Sequence, residues 1–227
     1  MYLIPLEHII YIFLPVGVVA YVYFKWVGSK YEIVLASLRM MAQLLLVGYV
    51  LIYLFENDSI IVGVSVIVVM IAVSSLITLR NIEHKSVHAY SIIFASIAIG
   101  GSINLWVVLE WVLELSPLYE PKYVIPLAGM IYANAMNSVS LAAERFSHEI
   151  DVNVYEKARA IALRASLIPR INALLAVGLV SLPGMMTGQI LSGVDPLIAV
   201  RYQIVVMAMI LGSSGLSVIG YLYWMRS

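Results

Sequence analysis

The sequence predicts an all-α, multi-pass membrane protein with about seven transmembrane helices. Of the 227 residues, 63% are hydrophobic and only 11% are charged, whereas soluble domains are nearer half apolar and a quarter charged. The mean hydropathy is +0.99. A soluble domain of this length would not bury so much apolar surface, so the bilayer must be the solvent for most of the chain.

The predicted spans are apolar stretches close to the length of about 20 residues that a helix needs to cross a bilayer. Seven stretches qualify: Ile9–Trp26, Ile33–Phe55, Ile60–Leu79, Ser91–Leu113, Val124–Ala143, Ile171–Leu191 and Tyr202–Trp224. The third carries no charge, and the first is interrupted by Pro15 and Gly17. No loop is long enough for a soluble domain, so residues 1–227 are expected to form one transmembrane domain in the plasma membrane.

The distribution of Lys and Arg between the loops predicts the orientation, because cytoplasmic loops carry the excess. Ten of these residues fall on one side of the predicted spans and two on the other. The ten are Lys25, Lys30, Arg80, Lys85, Arg145, Lys157, Arg159, Arg164, Arg170 and Arg226, against Lys122 and Arg201. The N-terminus is therefore expected outside and the C-terminus inside.

Several functions are excluded by composition. The formal net charge is zero, so no basic face is offered to a nucleic acid. The chain has no cysteine, which excludes disulfides and thiolate chemistry. None of the 14 glycines is followed by lysine, so the phosphate-binding loop of ATPases is absent. The chain is expected to be no enzyme, to have no catalytic residue and to hold no cofactor itself.

A few polar side chains within the spans are candidates for a substrate path. Arg39 and Gln43 lie one turn apart on helix two, and helix five presents Met130, Asn134 and Asn137 on one face. Such groups either form hydrogen bonds between helices or line a route for a hydrated solute. The candidate path residues are Arg39, Gln43, Met130, Asn134, Asn137, Ser181 and Met185.

The predicted sixth span contains residues that break helices near its middle. Pro183 removes a backbone donor, and Gly184 and Gly188 form a small-residue pair suited to close helix approach. These residues indicate either a kinked packing helix or a moving gate, and Pro183, Gly184 and Gly188 are the candidate hinge residues.

The metal-binding signals are weak, and the metal ligands stay unknown. Thioethers are soft ligands that suit Cu(I), but methionine more often fills irregular cores. The methionines concerned are Met130, Met136, Met185, Met186, Met207 and Met209. His84 and His88 have the i, i+4 spacing that can share a metal, without a third suitable ligand nearby.

The segment Glu144–Pro169 is expected to lie on the cytoplasmic side. Within it Tyr155–Leu167 has helical spacing, with Asn153 as the expected N-cap and Glu156 in the capping-box position. An amphipathic helix in this place docks a partner or lies on the lipid surface.

Three blocks of sequence resemble the ABC-transporter permeases typified by the FetB-type bacterial iron exporter, with plant relatives in aluminium tolerance. The blocks are Arg39, Gln43 and Val47–Leu51; Ile125–Met130 with Asn134–Met136; and Leu167–Pro169, Gly178–Gly188, Asp195–Pro196 and Tyr202–Ile204. The third block is the most specific, and the resemblance runs from about Arg39 to the C-terminus.

The resemblance implies a homodimeric permease that works with a separate ATPase subunit, which would bind ATP and magnesium. It implies export of iron, another metal or a small solute. It also favours residues 144–169 as the coupling segment, with Glu156, Arg159 and Arg164 as candidate contacts to the ATPase. The alternatives are an ion-coupled secondary transporter without an ATPase, which the scarcity of carboxylates in the spans disfavours, and a scaffold that transports nothing.

Overall fold

The computed structural model describes residues 5–29, 31–56, 59–82 and 85–226. Within these ranges the chain is helical and contains no β-strand. The helices are α1 (Ile9–Val27), α2 (Glu32–Glu56), α3 (Ile60–Arg80), α4 (Val87–Val107), α5 (Pro121–Ile150), α6 (Tyr155–Ala176), α7 (Gly184–Leu191) and α8 (Pro196–Trp224). A 3-10 turn, Leu6–His8, precedes α1, and a π-helical segment, Val108–Val112, continues α4.

Six helices in the described part of the chain are long and apolar enough to cross a membrane: α1, α2, α3, α4 with its π-helical continuation, α5 and α8. The prediction of an all-α, multi-pass membrane protein is therefore confirmed. The orientation of the termini and the single-domain organisation stay predictions.

The predicted sixth span is not one continuous helix. Helix α6 ends at Ala176 and α7 begins at Gly184. Between them the chain forms a turn in which the Gly178 backbone N–H donates to the Ser181 carbonyl at 2.9 Å. Pro183 has extended backbone angles directly before α7, so the helix break expected from proline is present but is longer than a kink.

The chain divides into two compact units, Met1–Glu56 and Asn57–Ser227. The first unit contains α1 and α2, whose apolar side chains are mostly exposed. Helix α1 ends at Gly28, which has a φ of 83°, and the Tyr23 hydroxyl donates to Glu32 Oε2 at 2.9 Å. Such apolar helix surfaces fit lipid or further protein.

In the second unit, α5 packs against α3, α4, α6 and α8. Small residues permit the closest approaches. A methyl group placed on Gly100 of α4 would lie 2.6 Å from the Ser217 backbone nitrogen of α8, and one on Gly101 would overlap the Tyr132 ring of α5. This packing is typical of membrane bundles, in which close backbone contact replaces the hydrophobic driving force between helices.

Helices α5 and α6 form a hairpin around the turn at residues 151–154. The Asn153 side chain donates to Glu149 Oε2 at 2.7 Å, and Val154 is the residue before α6, without a side-chain cap. The capping-box prediction is therefore wrong, because the Asn153 amide turns back to α5. Helix α6 also continues through Pro169 to Ala176, past the predicted end at Leu167.

A substitution of Gly100 tests the close approach of α4 and α8. We expect Gly100→Ala to lower the free energy of unfolding by about 1–3 kcal/mol, because the added methyl group meets backbone atoms that cannot move independently. The measurement is thermal unfolding in detergent, followed by tryptophan fluorescence. Gly129→Ala is the matched control, since an added methyl group there has no heavy atom within 4 Å. Equal stability of the two variants would contradict the packing.

Candidate substrate path

Helix α5 brings Met130, Asn134 and Asn137 to one side, as their spacing predicts. Asn134 is half-buried, and its Nδ2 atom donates to the Met130 carbonyl one turn earlier at 2.7 Å. Asn137 is exposed. The internal hydrogen bond holds the Asn134 amide, so that its oxygen is directed away from its own helix.

The partner of that oxygen is Arg170 of α6, whose Nη1 atom donates to Asn134 Oδ1. The Nε atom of Arg170 is buried and has no acceptor among the described residues. The same part of the chain shows no ion pair between Arg170 and a carboxylate. The guanidinium group is therefore held by one neutral amide.

The depth of this pair follows from α5. Residues 123–143 carry no charge, and about 21 residues at 1.5 Å each match the roughly 30 Å of a hydrocarbon core. Asn134 lies next to the midpoint of that stretch, so the Arg170 guanidinium reaches the middle of the membrane. A charge at that depth costs about 2.5–3.5 kcal/mol on insertion scales and usually marks a functional site.

This position corrects the prediction that Arg170 lies in a cytoplasmic loop. The missed signal is a series of small residues four apart in α6, Ala158, Ala162 and Ser166, all buried. Positions four apart share a helix face, and the next member of the series is Arg170. The stripe that packs α6 in the bundle therefore also directs the arginine toward α5.

A cavity of about 200 Å³ lies among α5, α7, α8 and the π-helical segment. Met130 and Met185 both line it, so the structure brings together two of the predicted path residues. Gln189 also lines it, and its Oε1 atom is buried with no partner among the described residues. Sequence reasoning missed Gln189, because nothing local distinguishes it from a surface glutamine.

The remaining candidate path residues lie outside this cavity. Ser181 is exposed in the turn between α6 and α7. Arg39 and Gln43 are exposed one turn apart on α2 in the first unit. Their roles in a path stay predictions.

The helix break lines a second, larger cavity of about 460 Å³, bounded by α6, α7 and α8. Its wall is apolar and includes Pro183, Met186 and Met207. Gly184 and Gly188 make no close approach to other described parts of the chain, since a methyl group on either would meet open space. The described residues of one chain therefore form no close helix contact at these glycines, and their roles in helix approach and as a hinge stay predictions.

The described residues contain no group of three or more His, Asp or Glu side chains placed to hold a metal ion. His84 lies outside the described residues, so the His84–His88 pair stays a prediction. The methionines are divided between the cavities, with Met130 and Met185 in the smaller and Met186 and Met207 in the larger. This division disfavours a single thioether site.

The candidate coupling residues Glu156, Arg159 and Arg164 are all exposed on the first three turns of α6. Tyr155 anchors this end of the helix, because its hydroxyl donates to the Leu222 carbonyl of α8 at 2.6 Å. The guanidinium groups of Arg159 and Arg226 lie 5.3 and 5.4 Å from the centre of the Tyr155 ring. The start of α6 is thus joined to the end of α8.

The helices and the polar groups within them define the chain as a multi-pass membrane protein, in keeping with the expected plasma-membrane location. A family model described as "Uncharacterised protein family (UPF0014)" matches residues 6–161 and 152–227. The chain belongs to this family.

Relatives within the family come from bacteria and plants. The UPF0014 membrane protein slr1647 of Synechocystis sp. is 36% identical, with 86% of this chain and 82% of the relative aligned. The probable iron export permease protein FetB of Escherichia coli is 36% identical over 80% of this chain and 74% of its own length. The protein ALUMINUM SENSITIVE 3 of Arabidopsis thaliana is 31% identical over 85% and 76%. No solved structure shows a significant match to the chain.

A substitution at Gly178 tests the geometry of the helix break. Gly178 has a φ of 80°, and we expect Gly178→Ala to lower the free energy of unfolding by about 1–2 kcal/mol, because L-residues are strained there. Gly184→Ala is the control, since that glycine has no positive φ and equally open surroundings. Thermal unfolding in detergent measures both. A Gly178→Ala variant as stable as the control would show that the turn has another conformation.

Proposed function

We propose that the chain is the transmembrane subunit of an ABC exporter that moves iron, another metal or a small solute out of the cytoplasm. A separate ATPase subunit binds ATP and magnesium and supplies the energy, and two copies of the chain form the permease. The observation that carries the proposal is the similarity over most of the chain to a protein named as a probable iron export permease. The absence of a phosphate-binding loop from this chain agrees with a separate ATPase.

The α5–α6 hairpin supports docking of an ATPase. The uncharged part of α5 ends at residue 143, so its last seven residues extend about 10 Å beyond the apolar stretch. Residues 144–164 form the charged tip of the hairpin. Arg145 and Glu149 form an ion pair at 2.6 Å in it, and the Phe146 and Tyr155 rings meet edge to face at 6.0 Å.

The contacts within the tip of the α5–α6 hairpin make it suited to transmit motion. Tyr155 links the tip to α8 through its hydrogen bond to Leu222. The same α6 helix ends at the break before Pro183. A push on the tip by an ATPase would therefore move α6 as a rod, and the turn at residues 177–183 would absorb the change in angle between α6 and α7.

The distribution of carboxylates disfavours the ion-coupled alternative. In the described part of the second unit, the carboxylates of α5 lie in its last two turns, and Glu110 is exposed in the π-helical segment at the end of α4. Proton or sodium coupling usually needs a carboxylate within the membrane. The group found at mid-membrane depth is instead the Arg170 cation.

A charge reversal in the hairpin tip tests the docking surface. We expect Arg164→Glu to reduce the amount of ATPase that co-purifies in mild detergent by roughly fivefold or more, because it replaces an attraction by a repulsion. Tagged chain is isolated from its native membranes, and co-purifying proteins are quantified by mass spectrometry. Arg201→Glu, the same change near the far end of α8, is the control. Equal recovery with both variants would argue against docking at the tip.

A second variant tests the break as a gate. Proline disfavours a helical conformation of the preceding residue, so Pro183→Ala permits α6 and α7 to join into one helix. We expect ATP-driven export by the reconstituted complex to fall several-fold while the ATPase still co-purifies. If the Pro183→Ala variant exports as fast as the unchanged chain, the break between α6 and α7 does not act as a gate.

A further inference from the structure

In the described residues of the second unit, one charge lies level with the middle of α5. In the described residues of that unit, α3, α4 with its π-helical continuation, α5 and α8 have charged side chains only within about two turns of their ends. Arg170 differs, because its guanidinium group contacts Asn134 at the middle of α5. The fixed charge at mid-membrane depth is therefore positive.

The neighbours of Arg170 leave that charge largely unsatisfied. A guanidinium group has five N–H donors and is always protonated in proteins. One donates to Asn134, and the buried Nε–H has no acceptor among the described residues. The Asn134 amide is neutral and already donates to the Met130 carbonyl. The guanidinium group therefore has N–H donors without an acceptor. No carboxylate among the described residues neutralises its charge.

The Arg170–Asn134 pair lies close to the smaller cavity, the one of about 200 Å³. Met130 lines that cavity, and Asn134 follows one turn further along α5 toward the hairpin tip. Arg170 and Asn134 do not line the cavity themselves, so the pair lies one helical turn from its wall, on the hairpin side. The cavity itself adds the free amide oxygen of Gln189 and two thioethers.

We infer that Arg170 and Asn134 form an anion-binding site, and that the transported species passes as an anion. The class includes free carboxylates and metal ions held in a negatively charged carboxylate complex. A bare metal cation meets electrostatic repulsion at this point, and no carboxylate among the described residues offsets it. The inference rests on the proposed transport function, and it specifies the charge of the substrate.

If Arg170 serves only to join α5 and α6, a different result is expected. The Asn134→Asp variant distinguishes that structural role from anion binding. A carboxylate at position 134 pairs with the guanidinium and preserves the link between α5 and α6, while it cancels the positive charge. If Arg170 only joined the helices, this variant would retain ligand binding. If the charge recruits the substrate, Asn134→Asp loses binding although it folds.

The experiment is equilibrium dialysis of the full-length chain in lipid nanodiscs, without any ATPase. The probes are labelled citrate, labelled ferric citrate and ferrous ion under anaerobic conditions. The variants are Arg170→Gln and Asn134→Asp, with Arg201→Gln as the control that removes an exposed cation of α8. Thermal unfolding confirms that each variant is folded.

We expect ferric citrate, citrate or both to bind saturably, and binding to weaken about tenfold or more in Arg170→Gln and Asn134→Asp. Arg201→Gln should stay within about twofold of the unchanged chain. Binding of ferric citrate alone identifies a metal complex as the source of the anion, whereas binding of both probes identifies the carboxylate itself.

Three results would overturn the inference: no binding of either anion, anion binding that survives in either Arg170→Gln or Asn134→Asp, or ferrous binding that is unchanged in Arg170→Gln. Because the assay contains no ATPase, any of these results leaves the co-purification experiment untouched. If no ATPase co-purified with the unchanged chain, in turn, the ABC proposal would fall without altering the charge preference that the dialysis experiment measures.

Discussion

The structure of the second unit depends on close contact between helix backbones. Lipid is as apolar as leucine, so helices in a bilayer are held by packing and by hydrogen bonds rather than by burial of apolar surface. The glycines of α4 meet this requirement, with Gly100 against the Ser217 backbone and Gly101 beneath the Tyr132 ring. Tyr132 and Ser217 are buried at these contacts, and the serines of α8 at 213 and 214 are also buried.

Small residues also explain how a charge comes to lie within the membrane. Ala158, Ala162 and Ser166 bury one stripe of α6, and the same stripe continues to Arg170 and its contact with Asn134. At its other end α6 carries the exposed charges of the hairpin tip, where Tyr155 is hydrogen-bonded to α8. One rigid helix therefore connects the proposed ATPase-docking surface with the mid-membrane cation. Motion at the tip would change the surroundings of that cation directly, without a longer chain of contacts.

The break between α6 and α7 is a turn at residues 177–183 that lines a cavity. Unpaired backbone groups are tolerated in membranes where they line a cavity or are covered by neighbours. Here the turn closes a hydrogen bond of its own, from Gly178 to Ser181, and Pro183 lines the larger cavity. On the other side of α7, Met185 and Gln189 line the smaller cavity with Met130. Helix α7 therefore lies between the two cavities and contributes residues to the wall of each.

The sequence by itself determined the class of structure, because the length and apolarity of a spanning helix are local properties. It also determined the absence of a phosphate-binding loop and the place where Pro183 interrupts a helix. It misassigned Arg170 and Asn153, since the place of each depends on which surface its side chain meets. Only the tertiary structure decided that Arg170 lies beside Asn134, and that Gln189 shares a cavity with Met130. These groups are far apart in sequence. Helix packing brings them together, and no local sequence pattern predicts that packing.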